Sequence, residues 1–65
     1  MWIARDKNRA LYVFEEKPIK NKNFENWTPL SADENFMEIN PNLFPEVKWD
    51  DDQPRELVLK PIKEK

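Results

Sequence analysis

The sequence predicts a mainly β protein, a small antiparallel sheet of four to five short strands with one short helical turn between Pro41 and Phe44. Apolar and polar residues alternate in short segments, which is typical of half-buried strands rather than helices. Polar stretches rich in asparagine, aspartate and proline separate these segments, as turns do. With 65 residues the chain forms a single domain, 1–65. Its small core leaves little surplus stability, which favours dimerisation.

The first two strands are predicted at residues 2–5 and 11–14, joined by a hairpin loop over residues 6–10. Glycine is absent from the chain, so a residue with a positive φ angle is expected to be asparagine or aspartate. Asn8 is therefore the predicted position of positive φ in this loop.

The middle of the chain alternates predicted loops and strands. Pro18 ends the second strand because proline cannot donate to a ladder, and residues 19–23 are predicted to form a loop. Residues 24–28 are a candidate strand that Pro29 closes. Residues 36–39 resume a strand whose glutamate faces water.

The segment after residue 39 has a helix-start signature. Asn40 can cap a helix and Pro41 is favoured at the first helical position, but Pro45 leaves room for only one turn. Val47 and Trp49 are then predicted to enter another strand.

The C-terminal part is predicted to form a hairpin. Residues 50–54 have the composition of a hairpin loop, and residues 55–60 form the last strand, which Pro61 stops. Residues 60–65 are expected to be a frayed basic tail.

Charge is unevenly distributed along the chain. Residues 1–22 carry six basic and three acidic groups, a net +3, and residues 23–56 carry nine acidic and two basic groups, a net −7. Strands of opposite charge are expected to pair within one sheet. The same asymmetry can also steer a charged partner.

The inventory of reactive side chains predicts that the protein is not an enzyme and uses no cofactor. The chain has no histidine and no cysteine, and its only hydroxyl groups are those of Tyr12, Thr28 and Ser31. Serine or cysteine triads and histidine or cysteine metal sites cannot be assembled from this set. Carboxylate pairs remain, but they require a cleft that so small a sheet rarely forms.

The predicted location is the cytoplasm, with no membrane partner. The N-terminal segment has no apolar run of the length that a signal peptide or a membrane span requires. The absence of cysteine fits a reducing compartment.

Asp50, Asp51 and Asp52 invite comparison with a metal site. Hard cations take oxygen ligands that converge from several directions. Consecutive carboxylates on an extended chain point to opposite sides, so three in a row cannot converge on one ion. A solvated turn without metal is therefore predicted.

Two stretches of the chain resemble a known group of proteins. The segments WIARDKN, LYVF and KP near the start, and EINPNLFPEVKWDDDQP followed by ELVLK near the end, resemble small proteins encoded by bacteriophages and prophages of gut bacteria. The resemblance implies a phage origin and no particular activity, and it leaves residues 20–35 unmatched. Related chains often carry glycine in the first turn, where this chain has Asn8 and Arg9.

Two binding functions remain open at this point. The first is a non-enzymatic module that binds a host protein or a second copy of itself as a homodimer, because short strands expose edges and tryptophans often anchor interfaces. Its predicted interface residues are Trp27, Trp49, Asp50, Asp51 and Asp52.

The alternative is a nucleic-acid-binding accessory protein. Basic and aromatic residues interleave on the predicted first hairpin, as on sheets that bind single strands. The isoelectric point near 5.1 opposes this function. For both functions the competing explanation is that the aromatic residues form the core. The nucleic-acid site would consist of Arg5, Lys7, Arg9 and Tyr12.

Overall fold

The computed structural model describes residues 1–58 and confirms a mainly β protein. Within these residues there are six strands in two antiparallel sheets and no helix. Residues 59 and 60 of the last predicted strand, and the predicted tail at 60–65, lie outside the described residues. The strands are β1 (Trp2–Arg5), β2 (Leu11–Phe14), β3 (Ile19–Asn21), β4 (Asn26–Thr28), β5 (Phe36–Ile39) and β6 (Arg55–Glu56).

The larger sheet has four strands in the order β5-β2-β1-β6, and the smaller sheet pairs β3 with β4. In the larger sheet Phe14 lies opposite both Trp2 and Phe36. Leu11 lies opposite Arg5 and Ile39. The register therefore aligns the aromatic residues of three strands on one face of the sheet.

Both faces of the larger sheet bury apolar side chains. Ile3, Leu11 and Val13 pack on one face against Val47 from the long segment between β5 and β6. On the other face, Ala4 and Phe14 pack against Trp27 of β4. Strands covered on both sides need apolar residues at successive positions, which explains the compositions of β1 and β2. The smaller sheet and the long segment thus cover the two faces of the central sheet.

The first turn places its positive φ angle at Arg9 (78°) rather than at the predicted Asn8. The Asp6 amide donates to the Ala10 carbonyl and the Arg9 amide donates to the Asp6 carbonyl, each at 2.9 Å. This pattern is a three-residue loop whose third residue is left-handed. Asn8 instead accepts a hydrogen bond from the Ala10 amide through its side chain. Loop length, not residue preference, therefore decides which residue takes positive φ.

The predicted loop at 19–23 is wrong at its start, because residues 19–21 form β3. The turn that follows is held by the Asn21 side chain, whose Oδ1 accepts the amides of Asn23 and Phe24 at 3.0 and 3.1 Å. Glu25 then takes a positive φ of 58° before β4 begins. An asparagine side chain that replaces backbone acceptors allows this tight hairpin without glycine.

The segment between β5 and β6 contains neither the predicted helical turn nor the predicted strand at Val47 and Trp49. Residues 40–47 form two consecutive turns. In the first, the Leu43 amide donates a hydrogen bond to the Asn40 carbonyl, and in the second the Val47 amide donates one to the Phe44 carbonyl. The carbonyls of Val47 and Trp49 accept hydrogen bonds from the side chains of an arginine and a lysine. These two side chains thus occupy carbonyl groups that would otherwise accept hydrogen bonds from a neighbouring strand.

Each strand of the basic region 1–22 pairs with a strand of the acidic region 23–56, namely β1 with β6, β2 with β5 and β3 with β4. Within these pairs, however, no two opposite charges lie directly across from each other among residues 1–58. In the larger sheet Glu38 lies opposite Tyr12, Arg5 opposite Leu11, and Glu56 opposite Trp2. Cationic side chains that bond main-chain carbonyls do not need a carboxylate partner to satisfy their donors.

Candidate functional site

Arg5 fastens the long segment to the central sheet. Its guanidinium group has five N–H donors in a fixed planar arrangement, and all five meet main-chain carbonyls. No N–H of Arg5 is left for a phosphate, so the structure places this residue of the predicted nucleic-acid site in an architectural role. The acceptors are Val47 (2.6 Å), Pro41 (2.9 Å), Arg9 (3.0 Å), Leu43 (3.0 Å) and Phe44 (3.1 Å).

Of the other three residues of the predicted nucleic-acid site, Lys7 and Arg9 line one groove and Tyr12 does not. Lys7 pairs with Glu25 at 2.8 Å, and this hydrogen bond and the charge of Glu25 raise the pKa of Lys7. Tyr12 is half-buried and its ring packs edge-on against Phe36 at 5.9 Å. Burial raises the pKa of Tyr12 above its ordinary value. Arg9 is exposed.

An open groove with a volume of about 520 Å³ lies between the first turn and the long segment. Its lining includes the exposed cations Lys7, Arg9 and Lys48 and the half-buried Trp49. Cations beside an aromatic ring are the usual composition of single-strand binding surfaces. This groove is where the nucleic-acid alternative retains support.

Trp27, a predicted interface residue, lies in the core with 5% of its surface exposed. Its indole N–H donates to the Arg5 carbonyl at 3.0 Å, and its main-chain amide donates to the Asp6 carboxylate at 2.9 Å. Trp49 is half-buried and meets Trp27 edge to face at 6.4 Å. The pair forms one aromatic unit under the sheet rather than a free surface patch.

Lys20 joins this aromatic unit, and sequence reasoning missed it. Its ammonium lies 4.3 Å from the ring centre of Trp49 and 5.6 Å from that of Trp27. It also donates to the carbonyls of Trp49 at 2.6 Å and Asp51 at 2.9 Å. A cation over aromatic faces stabilises by about 0.5–2 kcal/mol, depending on how far it is desolvated. The register of β3 against β4 places Lys20 opposite Trp27, so knowledge of this strand pairing would have indicated the contact.

The three aspartates of the predicted interface play different parts. Asp51 is partly buried and closes a turn, where its carboxylate accepts the Lys48 amide at 3.1 Å and pairs with Arg55 at 3.4 Å. Asp50 and Asp52 are exposed. In the part of the chain that the structure describes, no three acidic side chains cluster as metal ligands do.

Asp6 is the only buried charged residue within residues 1–58, with 8% of its surface exposed. Its carboxylate satisfies the buried amide of Trp27. Burial raises the pKa of Asp6, the hydrogen bond from Trp27 opposes that rise, and the nearby charge of Glu38 adds to it. The carboxyl therefore joins the first turn to β4.

We expect Asp6→Asn to remove one component of the pH dependence of folding. Because the folded pKa lies above the model value of 3.8, the folded state holds the proton more tightly than the unfolded chain. The stabilisation contributed by the protonated Asp6 carboxyl is therefore fully present below the pKa of this group in the unfolded chain. It is lost as pH rises through the pKa of the group in the folded state. Urea unfolding at several pH values should show that Asp6→Asn gains stability relative to wild type as pH rises from about 3.8.

The matched control is Asp6→Ala, which removes the acceptor as well as the charge. An unsatisfied buried N–H at Trp27 is expected to lower the free energy of unfolding by about 1–3 kcal/mol at every pH. Equal stability of the Ala and Asn variants would contradict the role assigned to this hydrogen bond.

The outer edge of β5 is the surface that the sequence analysis did not single out. Within residues 1–58, β5 pairs only with β2, on its inner side. Met37 is 61% exposed, and Phe36 and Glu38 are exposed as well. A shallow groove of about 120 Å³ beside the edge is lined by Met1, Val13, Glu15, Asn35, Phe36 and Met37.

An acidic groove of about 280 Å³ adjoins the start of β5 and shares Glu15 with the apolar one. Glu34 shapes it by accepting the amides of Glu16 at 2.8 Å and Leu30 at 3.1 Å. Its other carboxylates belong to Glu15, Glu16 and Asp33.

Comparison with known protein families, curated protein sequences and solved structures finds no match to this chain. Among residues 1–58 there is also no helix with the length and apolar character needed to cross a membrane.

Proposed function

We propose that the chain is a non-enzymatic, phage-derived interaction module that binds a protein of the bacterial host cell through the outer edge of β5. The observation that carries the proposal is that, within residues 1–58, the outer edge of β5 has no strand partner and includes the exposed side chains of Phe36 and Met37. Unpaired N–H and C=O groups on an edge strand can form a ladder with another chain. Apolar side chains beside them add buried area to such a complex.

The sequence of β5 supports this function because it carries few of the features that protect edge strands. Natural edges are often blocked by lysine, proline or a bulge. Residues 36–39 are Phe, Met, Glu and Ile, without lysine or proline, and all four pair in regular register with β2. Glu38 supplies the only charge on the strand. Nothing in residues 1–58 therefore blocks this edge against a partner strand.

The remaining parts of the proposal rest on the sequence. A non-enzymatic role follows from the lack of histidine and cysteine. The phage origin follows from the resemblance of the two terminal regions, and a cytoplasmic host partner follows from that origin. Trp49, Asp50 and Asp52 remain candidates for a second contact region because part of their surface is accessible.

Affinity capture from bacterial lysate tests the proposal with two matched variants. Met37→Ser removes an exposed apolar group from the β5 edge, and Phe24→Ser removes one that is 75% exposed in the turn between β3 and β4. We expect a host protein that wild type and Phe24→Ser both retain and that Met37→Ser retains about tenfold less, equivalent to about 1.4 kcal/mol. Equal retention by all three proteins would count against the β5 edge.

The same capture decides the nucleic-acid alternative, which the basic groove beside Trp49 favours. Retained material that nuclease removes, that added salt releases and that Arg9→Glu no longer binds would favour this alternative, since phosphate contacts weaken steeply with salt. A nuclease-resistant protein partner that Arg9→Glu still binds supports the proposal.

A further inference from the structure

We infer that the β5 edge accepts an extended peptide segment in which basic and apolar residues alternate, bound as an added strand. The inference rests on the proposed function, because it names the chemistry of the partner for the same edge. Its grounds are the different character of the two faces at this edge and the charge around it.

One face of the edge is apolar. Side chains of a strand alternate between faces, so Met37 and Ile39 lie on the same face as Val13, which is opposite Met37 in the register. Met37, Met1 and Val13 line the shallow groove of about 120 Å³. An added strand would place every second side chain on this face, and aliphatic side chains there would bury the exposed surface of Met37.

The other face combines an aromatic platform with a carboxylate. Phe36 stacks on Phe14 at 5.5 Å and contacts Tyr12 edge-on at 5.9 Å, so its ring is held in place. Glu38 is exposed two residues further along the same face. A lysine or arginine beside Glu38 would form a cross-strand ion pair while its aliphatic stem covers the Phe36 ring.

Every charged side chain that lines the two grooves at this edge is acidic. The side chains lining the apolar and acidic grooves include no lysine or arginine. Four carboxylates at the start of β5 extend the negative charge of Glu38 along the edge. A basic segment would be attracted to this surface and oriented on it. The carboxylates are those of Glu15, Glu16, Asp33 and Glu34.

The same charge disfavours a second copy of the chain at this edge. An antiparallel pair centred on Glu38 would set two carboxylates directly opposite each other. A pair centred on Met37 would avoid that contact, but it would still add a second Glu38 to an acidic surface. The charge of the edge thus selects a basic strand over a like-charged one.

Three short capped peptides with a fluorescent label test the inference by polarisation at low salt. The first alternates lysine and valine, the second alternates glutamate and valine, and the third repeats the first with alternate main-chain amides methylated. We expect the first to bind at least about tenfold more tightly than either of the others. Methylation removes ladder donors without changing charge, so its effect separates strand pairing from simple attraction.

Two charge-reversing variants locate the site. Glu38→Lys at the β5 edge should weaken the lysine–valine peptide about tenfold and improve the glutamate–valine peptide. Glu56→Lys makes the same change on an exposed residue of β6, at the opposite edge of the same sheet. It should alter both affinities about twofold or less at moderate salt, because charges beyond a Debye length are screened. In wild type, hydrogen exchange should slow at residues 36–39 when the peptide binds.

Several results would overturn the inference. The methylated peptide could bind as tightly as the unmethylated one, or Glu38→Lys and Glu56→Lys could change the affinities equally. The peptide could also slow hydrogen exchange outside β5 instead of within it. Finally, sedimentation could show a dimer without peptide, with slowed exchange at the amides of β5. These results leave the proposed function intact as long as capture from lysate still depends on Met37. Loss of that dependence would remove the proposed function even if the peptides bind.

Discussion

Replacement of Arg5 by alanine is expected to lower the free energy of unfolding by about 3–4 kcal/mol, because hydrogen bonds from charged groups contribute about 1.5–3 kcal/mol each but do not add fully. A chain of this size has a total stability of about 3–10 kcal/mol. Arg5→Ala should therefore remove about a third or more of the total stability. Urea unfolding followed by tryptophan fluorescence measures this directly.

The physical reason is the dependence of the long segment on a single side chain. Residues 40–49 have no strand partner, and their carbonyls at Pro41, Leu43, Phe44 and Val47 converge on the Arg5 guanidinium. Without it the segment loses its anchor, and Val47 no longer covers its face of the central sheet. The loss of buried apolar area then adds to the loss of hydrogen bonds.

Two other substitutions separate this role from charge alone. Arg5→Lys keeps the positive charge but cannot reproduce the planar donor arrangement, so its stability should fall between wild type and Arg5→Ala. Arg55→Ala removes an arginine with an exposed side chain and a 3.4 Å ion pair, and should change stability by about 0.5 kcal/mol or less. If Arg5→Ala were as stable as Arg55→Ala, the anchoring role would be wrong.

The strands that the sequence predicts most accurately are those with a local signal. Residues 2–5, 11–14 and 36–39 form strands with the predicted bounds, because alternation and flanking turn residues are visible within a short window. β3 was missed because Ile19, Lys20 and Asn21 carry a single apolar residue between them. Its strand structure depends on β4 rather than on its own composition.

The long segment shows why local signals were insufficient. Turns do form at Asn40, Pro41 and Pro45, as these residue types favour. The predicted helical turn and the predicted strand after it are absent from this segment. What determines this conformation is a guanidinium group about forty positions earlier in the sequence. A contact of that separation leaves no trace in the pattern of the segment itself. The positive φ of 50° at Phe44, directly before a proline, is held in the same way.

The candidate site was predicted in part. The sequence analysis proposed exposed strand edges and tryptophans as binding elements, with Trp27 as an anchor, but it did not propose β5. Whether an aromatic residue is core or surface depends on which elements cover the sheet, and β4 happens to cover Phe14 with Trp27. The position of β5 at an edge is equally a property of strand order. Neither property can be read from composition.

Replacement of Trp27 by alanine is accordingly expected to lower the free energy of unfolding by about 3–5 kcal/mol, the usual loss for a buried aromatic residue. The change removes the packing on Ala4 and Phe14 and the bond from the indole to the Arg5 carbonyl. It also uncovers Trp49 and the Lys20 ammonium. The melting temperature, measured by circular dichroism, should fall by tens of degrees, because each kcal/mol shifts it by about 4–8 °C in a domain of this size.

A conservative variant and a surface variant complete this test. Trp27→Phe keeps an aromatic ring but loses the indole donor, so it should retain the fold with a smaller loss of stability, about 1–3 kcal/mol. Met37→Ser, on the exposed β5 edge, should lie within about 0.5 kcal/mol of wild type. Because Trp27→Ala is expected to destabilise the whole sheet, a partner lost in that variant would not locate an interface, whereas a partner lost in the stable Met37→Ser would. If the Trp27→Ala protein were folded with the melting temperature of wild type, the assignment of Trp27 to the core would be wrong. Trp27 would then again be a candidate interface anchor.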